Sequence, residues 1–306
     1  MTLSATHPAR PSAPAGLAHF AAAVSPYPEA RDGVVLGSAL TRAAGGDLML
    51  IAIEPDLPLV VPGADWRQMR RETRSLLERT QSELAPEARA VIDSDLSIAR
   101  GLRRVIDHEH RQVLVTGSSR HGAPGVVTIG KHVHQLVHHM PCALALAPRG
   151  LSEHPDLALR RIGVGFDGGP EAREALRTAA ELAARCGAQL IVRGVVDDRV
   201  PALGWPHLWS APIAEAWNAV MNDEVKALED RLERAAAELP VTAVRQAERG
   251  LPAESLEDLS ADVDLLVIGS RRWGTVARLL LGGTGEALAH GARCALLVVP
   301  RPQTES

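Results

Sequence analysis

The sequence predicts an α/β protein built from two tandem doubly wound domains, each a five-stranded parallel sheet with helices on both faces. Three observations carry that prediction. The chain has 306 residues, enough for two domains of ordinary size that bury their own cores without disulfides or a structural metal. It repeats itself at two nearly equal offsets. Within each repeat, apolar runs of strand length alternate with segments of helical period, the pattern of parallel strands joined by crossover helices.

The repeat is legible residue by residue. SPYPEAR (Ser25 to Arg31) falls on DGGPEAR (Asp167 to Arg173), an offset of 142 residues that also carries GGDLMLIAI (Gly45 to Ile53) onto GAQLIVRGV (Gly187 to Val195). A strand, a helix and a second strand are thus duplicated as a block. An offset of 152 residues matches VLVTGSSRHG (Val113 to Gly122) with LLVIGSRRWG (Leu265 to Gly274), and PCALALAPR (Pro141 to Arg149) with RCALLVVPR (Arg293 to Arg301). The additional residues enter between the second and fourth strands of the second repeat, around Trp205, Trp209 and Trp217. Aromatics grouped in this way bury large area at low entropic cost and are expected to pack a lid or an interface.

In the second repeat the elements are expected in the order strand (Arg161 to Phe166), helix (Pro170 to Cys186), strand (Gln189 to Val196), long helix, strand (Thr242 to Ala247), helix, strand (Asp264 to Ile268), helix and strand (Ala295 to Val299). The long helix is the clearest, because Met221, Val225, Leu228, Leu232, Ala235 and Leu239 recur at steps of three and four and form one apolar stripe. The expected organisation is a disordered tail (1–18), a first domain (19–149), a linker (150–159), a second domain (160–301) and a short tail (302–306). The last strands, Ala143 to Ala147 and Ala295 to Val299, are short and apolar, so they are expected to pair with each other instead of standing as open edges.

Composition narrows the function classes. The net charge of −4 gives no basic footprint for nucleic acid, and the charged residues are spread along both halves instead of forming runs. Cys142, Cys186 and Cys294 show no metal-ligand spacing and fit buried thiols in a reducing compartment. The amino-terminal stretch lacks the apolar core of a secretory signal, and no apolar run has the length of a membrane span. A soluble cytoplasmic protein is expected, with neither nucleic acid nor membrane as partner.

The segment most informative about chemistry is GSRRWGTVARLLLGGTGEAL, Gly269 to Leu288. A strand ends at Ile268, a glycine-bearing loop follows, and a second glycine cluster opens a helix near Thr284. Unpaired N–H groups and the positive dipole end of a helix start attract phosphate, and glycines let its oxygens approach the main chain. Glycines after a parallel strand also serve tight turns, so a phosphate cradle and a plain turn both fit this segment. Asp167 and Val195 stand at the ends of the first two strands of the second repeat. Asp167 fits either a ligand acceptor or a helix cap, and Val195 either a wall for a ring or a core residue.

The ordered motifs FDGGPEAREAL, GVVDD, GLPAESL, DLLVIGSRRWG, LLLGGTGEAL and PRP resemble the universal stress protein family. The resemblance spans both halves. It implies a Rossmann-like doubly wound fold and, as in many members, a regulatory role through non-catalytic ATP binding, by way of a Gly-x2-Gly-x9-Gly-Ser/Thr loop. Carried over, the loop begins at Gly269 and its third glycine is Gly282; Arg272 replaces the middle glycine, with Gly274 two residues on, and Gly283 followed by Thr284 replaces the final Ser/Thr. The adenosine-side contacts fall on Asp167 and Val195, with Ile268 ending the strand before the loop. In the first half the same positions hold Ser25, Ile53, Gly117, Arg120, Gly130 and Lys131. Lys131 either neutralises phosphate or fills its place, and the first half is expected to carry a degenerate site. The rival expectation, from another class, is a ligand-free module that assembles, including as a homodimer.

Other chemistries find no constellation. His132, His134, His138 and His139 lack an acidic or cysteine partner at ligand spacing, so no metal site is expected. No GxSxG elbow, Walker loop or early GxGxxG fingerprint occurs, and no catalytic residue is assigned. ATP is the expected ligand, in a protein that is not an enzyme.

Overall fold

The computed structural model describes residues 16–55, 66–130, 133–134, 140, 142–199, 211–270 and 281–300. The first half comprises β1 (His19–Val24), α1 (Glu29–Ala44), β2 (Asp47–Pro55), α2 (Trp66–Leu84), β3 (Arg89–Asp95), α3 (Ile98–His108), β4 (Val113–Gly117) and β5 (Ala143–Ala147). The second comprises β6 (Arg161–Gly165), α4 (Pro170–Cys186), β7 (Gln189–Asp197), α5 (Ala211–Ala237), β8 (Ala243–Gly250), α6 (Pro252–Ser260), β9 (Leu265–Gly269), α7 (Gly283–Leu288) and β10 (Ala295–Val299).

All ten strands form one sheet in the order β3-β2-β1-β4-β5-β10-β9-β6-β7-β8. Within each half the strands are parallel, and the halves meet where β5 and β10 pair antiparallel, Leu144 opposite Val298 and Leu146 opposite Leu296. The pairing expected from the two short apolar strands is therefore present, and it removes two edges that would each expose a ladder. Side chains alternate between the faces. Phe20, Leu50, Val115, Val164 and Leu297 pack beneath α1, α2, α4 and α5, while Met49, Ile51, Leu144, Leu266 and Leu296 pack beneath α3, α6 and α7.

The duplicated helices stop for the same reason. After α1 and α4 the chain turns on Gly45 (φ 64°) and Gly187 (φ 70°), left-handed positions that glycine occupies without strain. The long helix ends at Ala237, so Leu239, the last residue of its expected stripe, lies beyond it; Met221, Leu228 and Leu232 are buried as the period predicts. Between the halves, Leu151–Glu153 form a 3-10 turn whose Gly150 and Ser152 N–H groups donate to the two carboxylate oxygens of buried Asp32, at 2.9 and 2.7 Å. The connection is thus anchored to α1. Val127 and Ile129, in the loop after β4, donate backbone hydrogen bonds to Ala292 and Ala289 and stitch the first half to the second beyond the strand pair.

Candidate functional site

In the second half, β6 is flanked by β7 on one side and β9 on the other, so the chain leaves it in opposite directions. That is the place where an open parallel sheet leaves a crevice beyond its carboxyl ends. Four of the sequence-derived positions fall on this rim. Asp167 lies two residues after β6, Val195 near the end of β7, Gly269 at the end of β9, and Gly282 at the start of α7.

Local packing brings these elements together. A Cβ placed on Gly269 would meet the Glu171 carbonyl at 2.5 Å, so the first turn of α4 rests directly on the end of β9. Ile268 is buried, with its Cδ1 3.4 Å from the position a Gly285 Cβ would take, which seats the start of α7 on the same strand. Gly283 has open space where a side chain would project, and Thr284 is half-buried on the first turn of α7. Arg272 and Gly274 lie outside the described residues.

Asp167 is exposed, and its Oδ1 accepts the Gly169 N–H at 2.8 Å. It therefore closes the turn ahead of α4, while the cap position itself is Gly169, which makes no side-chain cap bond. Gly168, at φ 85°, is a position that favours glycine, and the Arg231 side chain of α5 passes 3.2 Å from where its Cβ would stand. Arg231 was missed by sequence reasoning, because only the packing of the long helix reveals which of its charged residues reaches the rim. Val195 is half-buried and pairs with Glu248 of β8; on the neighbouring step Arg193 donates to Gln246 and to the Ser255 carbonyl, so a row of polar groups stands beside Val195. The corresponding steps of the first half hold Ile51 and Ile53, and Ile53 packs against Gly101 of α3 instead.

The first-half rim differs in kind. Pro26 and Tyr27 replace the two glycines, and the Arg120 guanidinium stacks over the Tyr27 ring at 5.6 Å from its centroid. The loop beyond β4 is tied down as well: Ser118 Oγ donates to the Ala147 carbonyl and accepts the Thr128 N–H, and Arg149 donates to the Gly122 carbonyl. Gly117 is demanded by packing, since a Cβ there would stand 1.8 Å from the Glu29 carbonyl oxygen. Gly130 is half-buried beside Ser119; Lys131 lies outside the described residues.

On the second-half rim, the Arg199 guanidinium, helped by the Arg199 N–H, holds the Asp197 carboxyl at the end of β7 below the usual carboxylate range. At the end of β3, the Arg100 guanidinium beside Asp95, helped by the Ser97 N–H and Arg104, pulls the carboxyl down to about 2. Burial pushes the Cys142 and Cys294 thiols up to about 12. His134 and His290 each approach Glu286 at 3.7 Å, and among the described residues no group of three ligating side chains is set to hold a metal. His132, His138 and His139, like Trp205 and Trp209, lie outside the described residues. Among the described residues no helix is long and apolar enough to cross a membrane.

Comparison with known proteins agrees with the fold and motifs. Residues 158–300 match the sequence profile of the universal stress protein family. A universal stress protein of Mycobacterium tuberculosis is 24% identical over 251 residues, covering 81% of this chain and 83% of its own. A universal stress protein structure from Archaeoglobus fulgidus superposes with a TM-score of 0.61 at 16% identity, covering 92% of this chain and 98% of that one. A further universal stress protein, solved in complex with cAMP, is 25% identical over 48% of this chain with a TM-score of 0.32. The motifs, the sheet order and the profile match point one way: residues 158–300 carry a universal stress protein domain, and the chain as a whole is similar to universal stress proteins.

Proposed function

We propose that this protein binds an adenine nucleotide without turning it over, in the second half, and that occupancy regulates a response to stress in the cytoplasm. One observation carries the reading: Asp167, Val195, Gly269 and Gly282 to Thr284, separate in sequence, share one rim around the strand where the chain reverses direction. There the exposed Asp167 carboxylate is available to ribose or base donors, Val195 to a ring face, and the N–H groups at the start of α7 to phosphate. Arg231, passing over Gly168, adds a cation on the same rim. In the first half Tyr27 and Arg120 occupy the equivalent entrance, so binding is asymmetric. No residue takes a catalytic role in this reading.

The experiment is mass spectrometry of small molecules released from the purified full chain, followed by calorimetric titration with ATP of the wild type, Asp167→Asn and Asp167→Ala. Asparagine keeps an oxygen for the Gly169 N–H and loses the charge. Both variants are expected to bind more weakly by about 1–3 kcal/mol, the range for losing a hydrogen bond to a charged group. Equal affinity in all three makes Asp167 a turn residue only, and an absence of both retained and titrated nucleotide favours the assembly-module reading.

A further inference from the structure

Helices α2 and α5 are the equivalent crossovers of the two halves, yet they carry opposite charge. Between Arg67 and Arg74, α2 has four exposed arginines (67, 70, 71 and 74) against one acid, Glu72. Between Asp223 and Glu233, α5 has five exposed acids (223, 224, 229, 230 and 233) against Lys226 and Arg231. The sequence reads these charges as dispersed; the helices gather them.

Within the chain, Arg70 pairs with Glu54 of β2 at 3.1 Å and Glu224 with Arg231 of the same helix at 3.9 Å. The arginines stand toward the amino end of α2, whose first turn holds no acid, and Glu229, Asp230 and Glu233 stand in the last third of α5. Both placements oppose the helix dipole, while the exposed Arg234 in the last turn of α5 suits it. The helices cover opposite ends of the sheet, α2 against β2 and β3 and α5 against β7 and β8, and both lie on the face that also carries α1 and α4. A basic patch and an acidic patch on one face, at opposite ends, are complementary to the same face of a second copy turned by a two-fold axis. In that arrangement α2 of each copy meets α5 of the other, and the contact closes on itself.

From this juxtaposition we propose that the face carrying α2 and α5 is an interaction surface for a second copy of this chain, forming a salt-sensitive two-fold dimer through reciprocal α2–α5 contacts. The surface is separate from the β5–β10 seam, which the tandem chain already uses within itself.

The test is sedimentation velocity of the full chain at low salt and at about 0.5 M salt, where screening confines electrostatic attraction to a few ångströms. Two exposed pairs are reversed, Arg71→Glu with Arg74→Glu and Glu229→Lys with Glu233→Lys, with circular dichroism to confirm folding. The wild type is expected to dimerise at low salt and dissociate at high salt. Each reversed pair should weaken dimerisation by about tenfold or more, and all four substitutions in one chain should restore it, since the swapped charges are again complementary. A wild type that stays monomeric at low salt overturns the proposal, as does a dimer indifferent to both reversals or a fourfold variant that fails to recover. If the α2 reversal abolishes binding to phosphatidylserine vesicles while the wild type stays monomeric, the arginines serve an anionic surface and the proposal is also overturned.

Discussion

Gly117→Ala offers the sharpest test of how the repeated strand ends are built. The new Cβ would stand 1.8 Å from the Glu29 carbonyl oxygen, whereas real Cβ atoms stay beyond 3.0 Å, so the first turn of α1 must retreat by about 1.2 Å. At Gly269 the corresponding approach, to Glu171, is 2.5 Å, and the required retreat is about 0.5 Å. The obstacle is backbone in both cases, so no side chain can swing aside. Overpacking of this kind costs about 1–3 kcal/mol, with Gly117→Ala at the upper end and Gly269→Ala at the lower. At about 2–4 °C of Tm per kcal/mol, Gly117→Ala should lower Tm by about 6 °C or more and Gly269→Ala by about 2–4 °C. Gly283→Ala is the control: a side chain there meets open space at the first helical position, so stability should hold or rise by about 0.4–1 kcal/mol. Thermal unfolding followed by circular dichroism gives the Tm shifts, and urea unfolding the free energies, of all three variants. A loss for Gly283→Ala matching that for Gly117→Ala, or a larger loss for Gly269→Ala than for Gly117→Ala, would refute the steric argument. A Gly269→Ala variant of unchanged stability that no longer binds ATP would show that this glycine serves the ligand instead of the helix.

Two further outcomes follow from the ionisable groups. The Asp95 pKa is depressed to about 2, so its ion pairs stabilise the fold above the ordinary aspartate pKa of about 3.9, and that contribution is lost as pH falls through about 2. Arg100→Ala should therefore raise the Asp95 pKa, read by NMR titration, and shift the acid-unfolding midpoint to higher pH; an unmoved pKa would remove Arg100 as the cause. Cys142 and Cys294 are buried with thiols pushed up to about 12, whereas Cys186 is partly exposed, so iodoacetamide at pH 8 should label Cys186 alone in the native protein. Labelling of Cys142 before Cys186 would show that the β5 end of the seam opens.

The sequence by itself determined the duplicated α/β elements and the pairing of β5 with β10, because both follow from local pattern. Period two or 3.6 in the apolar residues, glycine after a helix, and a short apolar strand that needs a partner are all written within a few residues. It also located the rim, since strand ends in a doubly wound sheet are set by element order. What only the tertiary structure decided is what each rim residue touches. Gly117 and Gly269 look like phosphate glycines in sequence, yet each is required by a helix backbone some ninety residues away in the chain. The Tyr27–Arg120 stack, the reach of Arg231 over Gly168, and the opposite charge of α2 and α5 on one face depend on distances between elements remote in sequence. Such contacts are fixed by packing, which no local period encodes.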